Sequence, residues 1–203
     1  MLPTIDNVFS PLQEDFDDAR LLRLRCDSQS LHFYGDISSF ISRRIKGFLT
    51  LSLLDVGART GIGTALLRLL HHPLAFTSLK LDPVTGLDLD PDLPRIAGQE
   101  FKDIRAVQMD IFDLEPNSYD IVVCSHTIEH VPDMKSFIAQ LEVIARQYVV
   151  LACPIDEKEP RSDGHIRTIT REDLAALGYT DIEVYDSFHF HNGQAGIAMK
   201  AVG

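Results

Sequence analysis

The sequence predicts an α/β fold: a seven-stranded, mostly parallel sheet with helices on both faces, a C-terminal antiparallel hairpin and an N-terminal helical cap. Three observations lead there. From about residue 50 onward, apolar runs of strand length alternate with segments of helical period, the pattern of a parallel sheet covered by helices. The run Ile121-Val122-Val123-Cys124 is apolar without alternation, as in a strand buried on both faces. A glycine-rich turn directly follows the first apolar run, at Gly57, Gly61 and Gly63.

The elements follow in order. Leu49 to Val56 reads as the first strand, and Ile62, Leu66, Leu69 and Leu70 then recur at helical spacing. Val84 to Leu87, Ile104 to Met109 and Tyr119 to Cys124 read as strands two to four. Pro132 suits the first turn of a helix whose apolar face is Met134, Phe137, Ile138, Leu141, Ile144 and Ala145. Tyr148 to Cys153 is the fifth strand, stopped by Pro154. The stretch from Ile155 to Ile169 is too rich in charge, Pro and Gly to be core. Thr170 and Asp173 form an acidic variant of the capping box, opening a helix that ends near Gly178. Ile182 to Phe190 and Ala195 to Val202 form the hairpin, turning at His191-Asn192-Gly193-Gln194. Residues 1–203 are read as a single domain, with 49–203 as core sheet and 1–48 as cap or lid. Within that cap Asp36 to Phe48 reads as helical, the acidic stretch Glu14 to Asp18 reads as the start of another helix, and Phe33 and Tyr34 are a candidate aromatic wall.

Composition narrows the function classes. Of 203 residues, 45% are hydrophobic and 24% charged, close to the soluble average, and no apolar run approaches the ~20 residues of a spanning helix. Met1 to Pro11 holds no Lys or Arg, so it lacks the pattern of a secretory signal, and the cytoplasm is expected. Cys26, Cys124 and Cys153 are odd in number and form no C-x-x-C, which suits reduced thiols. The charge balance, 19 − 30 = −11, repels phosphate backbones, so nucleic acid is not the expected substrate. The basic cluster Ser42-Arg43-Arg44-Ile45-Lys46 reads as the solvated side of a helix.

The segment Leu53 to Gly63, LLDVGARTGIG, carries the most chemistry. A glycine turn after a buried strand brings backbone close to a ligand, and the next helix offers free N–H groups to a carboxylate or phosphate. The glycines do not make G-x-G-x-x-G, and no Gly-Lys-Ser/Thr follows, so neither a dinucleotide fingerprint nor a P-loop is present. Asp55, two residues before Gly57, can pair with a cationic ammonium. No Tyr has a Lys four residues on, so the usual hydride-transfer pair is absent as well.

This segment resembles motif I of class I, Rossmann-like S-adenosylmethionine-dependent methyltransferases, Asp/Glu-x-Gly-x-Gly-x-Gly, and is similar to the small-molecule, type 11-like members. VTGLDLDP resembles the end of their second strand, MDIFDLEPNSYDIVVCSHTIEHV their third-strand loop and fourth strand, and GHIRTITREDL the segment before a late helix. The resemblance spans about Leu53 to Leu174 and implies S-adenosylmethionine as cofactor. It assigns cofactor contacts to Asp55, Gly57, Ala58, Arg59 and Gly61 of the turn, and to Asp88 with Leu89, where Asp88 would accept both ribose hydroxyls. Further on, Asp110 would meet the adenine amino group, Ile111 the ring, and Ser125 and His126 the methionine portion. Arg59 stands where the motif has its central Gly. Asp82 fits the expected spacing to a ribose acid better than Asp88; Gly-Leu-Asp with its following Pro favours Asp88, with His71 to Asp82 as an insertion.

The implied activity is methyl transfer to an O, N or S nucleophile of a small-molecule acceptor. The alternative is a non-catalytic cofactor-binding or partner-binding protein of the same fold. If a base is needed, His126 is the first candidate, because imidazole titrates near working pH, with Glu129 and His165 behind it. His126-Thr127-Ile128-Glu129-His130 spells H-x-x-E-H, a zinc-protease pattern that needs both histidines on one long helix. Only a loop or single turn fits before Pro132, so no metal is expected. Cys124 and Cys153 read as buried small residues, and His189 and His191 as surface or interface groups. The oligomeric state is not legible.

Overall fold

The computed structural model of the chain describes residues 28–203, so the expected helix start at Glu14 to Asp18, and Cys26, lie outside the described residues. The described elements run in chain order as α1 (Ser28–Arg44), β1 (Leu49–Val56), α2 (Ile62–Leu70), β2 (Leu79–Asp88), α3 (Asp92–Glu100), β3 (Arg105–Gln108), a 3-10 turn (Ile111–Asp113), β4 (Tyr119–Ser125), α4 (Met134–Ile144), β5 (Ala145–Ile155), α5 (Arg171–Ala176), β6 (Asp181–Ser187) and β7 (Phe190–Ala201). The seven strands form one sheet in the order β3-β2-β1-β4-β5-β7-β6. The β1–β2, β2–β3 and β4–β5 pairings are parallel, and β7 pairs antiparallel with both β5 and β6. This is the mostly parallel sheet with a closing hairpin that the alternation predicts. Two compact units divide between Met109 and Asp110. Among the described residues, no helix is long and apolar enough to cross a membrane.

In the first unit, Leu53, Leu54, Leu79 and Leu81 are fully buried strand residues. Leu93 and Ala97 of α3 pack with Ala58, Ile62 and Ala65, so the glycine turn and the start of α2 rest on an apolar cushion. That helix, α3, falls between β2 and β3, where no helix is legible from the sequence, because its Pro94 and Gly98 blur the period. Of the expected insertion His71 to Asp82, the residues from Leu79 on belong to β2. Leu79, Lys80 and Leu81 pair with Leu49, Thr50 and Leu51, and the surplus residue is taken up by a bulge where Leu51 to Leu53 face Leu81 to Val84. The helical cap residue set shifts too: α1 begins at Ser28, and it buries Ile37, Phe40 and Ile41.

In the second unit, β4 and β5 carry the fully buried Ile121, Val122, Val123, Val149, Val150 and Leu151. Three expectations shift. The helix α4 is capped by Asp133, whose side chain accepts from Ser136 N, rather than opening at Pro132, and Ala145 already belongs to β5. Strand β5 continues through Pro154, which pairs with Ala195 beyond the last β4 partner at Ala152, so the missing N–H interrupts no ladder toward β4. The hairpin turns at Phe188 and His189, with Ser187 opposite Phe190, not at Asn192-Gly193. Those two residues lie inside β7. A Cβ on Gly193 would stand 2.7 Å from the Ile155 carbonyl oxygen, so close strand approach, not turn geometry, calls for glycine there. The capping box at Thr170 and Asp173 is present with both of its reciprocal bonds.

Candidate functional site

In the first unit, the turn after β1 sits beside the carboxyl end of β2. Gly57 N and Ala58 N both donate to Leu87 O, at 2.9 and 3.1 Å. Arg59 holds φ 54°, the left-handed conformation that a glycine takes without strain, and its N–H donates to Asp88 Oδ2 at 2.7 Å. The turn therefore keeps a glycine's backbone while carrying an exposed arginine side chain. Gly61 caps α2 at φ 80° with no side-chain bond to the first turn, leaving those N–H groups to other acceptors.

Asp88 accepts a second bond from Asp90 N at 3.0 Å on Oδ1. Each oxygen is held by one backbone donor and retains a lone pair, which suits a vicinal diol. Leu89, next in the chain, and Met109, whose N–H donates to Asp88 O, are exposed apolar residues adjoining it. An acceptor carboxylate flanked by apolar surface fits a nucleoside. Asp82, by contrast, lies midway along β2 in an ion pair with Arg68, at 3.1 Å, so its better spacing does not place it at the strand's end.

Asp55 departs from the expected direct pairing with an ammonium. It has no exposed surface; Tyr34 donates to Oδ1 at 2.7 Å and Thr64 to Oδ2 at 2.5 Å. Burial pushes its carboxyl from 3.8 up to about 6, against the lowering effect of the Thr64 and Tyr34 bonds, with the Asp88 charge adding to the rise. Asp55 thus ties α1 and α2 to the end of β1 from behind the turn. Tyr34, read as part of an aromatic wall, is buried, and a Cβ on Gly63 would fall 2.4 Å from its ring.

In the second unit, Asp110 is exposed and caps the 3-10 turn, its Oδ1 accepting from Phe112 N at 3.1 Å. Ile111 beside it is buried, and Phe112, next in the chain, is an exposed apolar group. Ser125 ends β4 buried. His126 follows at φ 49°, anchored by its N–H to Ala152 O at 2.8 Å, with both ring nitrogens shielded from solvent. Burial, then the neighbouring His165 and His130, lower its pKa from 6.5 to about 4. The expectation that it titrates near working pH is therefore corrected: desolvation keeps the ring neutral.

The loop after β5 docks on the turn 128–130. Ile166 N donates to Glu129 O, His130 Nδ1 to Gly164 O at 2.9 Å, and Arg167 to Pro132 O at 2.7 Å. This brings His165 Nε2 to 3.9 Å from Glu129 Oε1, while its Nδ1 bonds Glu157 Oε2 at 2.6 Å. Burial pushes the Glu129 carboxyl from 4.5 up to about 8, with Glu157 contributing. Glu157, which the sequence reading passed over, also accepts from Ser162 N. Its sequence signal is faint, a single acid in an acidic loop. Cys124 and Cys153 are buried free thiols, and burial pushes Cys153 well above its ordinary value.

Residues 54–153 match the family model for a methyltransferase domain. Over that stretch, just under half of its length, the chain is similar to methyltransferase domains. No curated protein matches the chain by sequence. The fold is shared with solved structures, methyltransferases among them. The YcgJ protein from Bacillus subtilis aligns at TM-score 0.63 and 13% identity, covering 84% of this chain and 98% of that one. Magnesium protoporphyrin IX methyltransferase from Synechocystis, solved with S-adenosylhomocysteine, aligns at 0.63 and 12%, covering 98% and 94%. A 1,6-didemethyltoxoflavin N1-methyltransferase from Burkholderia thailandensis aligns at 0.58 and 16%, covering 95% and 93%. The matched segment of the methyltransferase domain begins at Leu54 and ends at Cys153, so it takes in the turn, Asp88, Asp110 and the 126–130 segment but leaves out Glu157 and His165.

Proposed function

We propose that this methyltransferase domain binds S-adenosylmethionine and moves its methyl group to an O, N or S nucleophile of a small molecule. The observation that carries the reading is Asp88, held by Arg59 N and Asp90 N at the carboxyl end of β2 with a lone pair left on each oxygen. The cofactor, when bound, supplies a methyl on a sulfonium that is already a good leaving group. Asp88 accepts from the ribose hydroxyls, and Leu89 supplies apolar surface beside it. Gly57, Ala58 and Gly61 let the backbone approach, and Asp55 holds the turn from behind through Tyr34 and Thr64. Asp110, Ile111 and Ser125 are further proposed cofactor contacts.

The chain's contribution to the chemistry is then mainly positioning, which can remove much of the barrier when a nucleophile is held in line at ~3 Å. His126 is the proposed proton acceptor for a nucleophile that must lose a proton. Its ring is neutral and so able to accept, though weakly basic while buried. Glu129 and His165 are the second proposed pair. The negative charge of the chain and the small-molecule methyltransferases sharing its fold support a small acceptor. Calorimetry with S-adenosylmethionine and with NADH tests the reading: micromolar binding of the first is expected, and binding of NADH alone would overturn it.

A further inference from the structure

We propose that Glu129, His130 and His165 form a binding site for one divalent transition-metal cation, with Glu157 orienting His165 from behind. One donor atom from each of the three lies within 4.8 Å of the others. Donors around a cation at ~2.1 Å stand roughly 3.4 Å apart, so side-chain rotations of about an ångström close the site. Backbone bonds from the loop after β5 already fix its two sides, through Ile166 N on Glu129 O and the Gly164 carbonyl on His130.

The protonation pattern of both rings is decided by their partners. The Gly164 carbonyl only accepts, so His130 Nδ1 carries the hydrogen and the neutral ring presents its lone pair at Nε2. Glu157 does the same for His165, at 2.6 Å. A carboxylate or carbonyl behind a ligating imidazole is the usual way of fixing tautomer and ring direction at metal sites. Glu129 supplies the independent observation. It is 1% exposed, and neither of its oxygens has a hydrogen-bond partner among the described residues. An isolated buried carboxylate is costly, and a cation coordinated by it removes that cost.

Two imidazoles and one carboxylate suit Zn²⁺ and neighbouring first-row cations better than Mg²⁺ or Ca²⁺, which favour all-oxygen sets. The H-x-x-E-H pattern points here only in part: its first histidine, His126, is not in the cluster, and the third ligand comes from 35 positions past His130. Three protein ligands leave a position open for an oxygen, nitrogen or sulfur donor. If the methyl-transfer reading holds, an acceptor bound there would lose its proton more readily, which relieves His126 of that task.

The test titrates full-length protein, stripped with EDTA, with ZnCl2 by calorimetry and with CoCl2 by visible absorption. One site per chain is expected. His130→Ala and His165→Ala should each weaken Zn²⁺ binding at least tenfold, Glu129→Gln likewise, and Glu157→Gln by ~10-fold or more through loss of ring orientation. His189→Ala, away from the cluster, should bind as wild type. Thermal melts show that each variant is folded. No saturable binding, or binding unchanged in both His130→Ala and His165→Ala, overturns the proposal. S-adenosylmethionine titrated into the same samples separates the two readings: metal binding without cofactor binding sinks the methyl-transfer reading and leaves the metal site standing, and the reverse result does the opposite.

Discussion

Tyr34→Phe isolates one hydrogen bond, to a fully buried carboxylate, while keeping the ring that packs on Gly63. Wild-type Asp55 titrates at about 6 in the folded protein against 3.8 in the unfolded one. A group raised in this way favours folding fully below about 3.8 and withdraws that contribution as pH rises through 6. The total is about 3 kcal/mol, from about 1.4 kcal/mol per pH unit of displacement. The Tyr34 bond is one of two that hold the carboxyl down, so removing it raises the folded-state value further. The variant should therefore lose stability at every pH, and lose more where Asp55 is ionised. Bonds to charged groups contribute about 1.5–3 kcal/mol and neutral ones about 0.5–1.5 kcal/mol. The expected cost is thus roughly 2 kcal/mol at pH 8 and roughly 1 kcal/mol at pH 5. Urea unfolding of both proteins at the two pH values measures it, as the shift in midpoint at a common slope. Equal costs at pH 5 and pH 8 would refute the reasoning, because they would mean that Asp55 does not ionise against Tyr34.

Gly63→Ala should destabilise by about 1–3 kcal/mol, as its Cβ meets the buried Tyr34 ring; adding Tyr34→Ala should remove most of that penalty in a double-mutant cycle. Arg59→Gly should leave stability unchanged or raise it by up to about 1 kcal/mol by thermal melt, since the left-handed backbone there costs a side chain about that much. Asp88→Asn should weaken S-adenosylmethionine binding tenfold or more in calorimetry, whereas Asp82→Ala, which loses only an ion pair with Arg68, should leave it unchanged. If a protein base is used, His126→Ala should lower turnover on the true acceptor on the order of 10²-fold, and full turnover would remove His126 from that role.

The sequence by itself determined the strand order along the chain, the glycine turn, the acid at the end of β2 and the capping box of α5. Each of these is written within a few residues, in periods of two or 3.6 or in a cap's spacing, so local pattern suffices. It did not determine where the hairpin turns. Asn192-Gly193 carries a turn signal, but Gly193 sits where β7 passes the Ile155 carbonyl, a contact across 38 positions. Nor did it determine what Asp55 faces. The motif points the acid at a ligand, and the packing of α1 instead places the Tyr34 hydroxyl on it from 21 residues away. Glu129 and His165 are named in the sequence only as separate candidates. Their meeting, with His130 beside them and Glu157 behind, depends on the loop after β5 folding back onto the turn 128–130, and no local period encodes such a return. Tertiary packing alone decides which buried charges find partners, because desolvation acts on whatever the fold encloses, however far apart its residues lie in the chain.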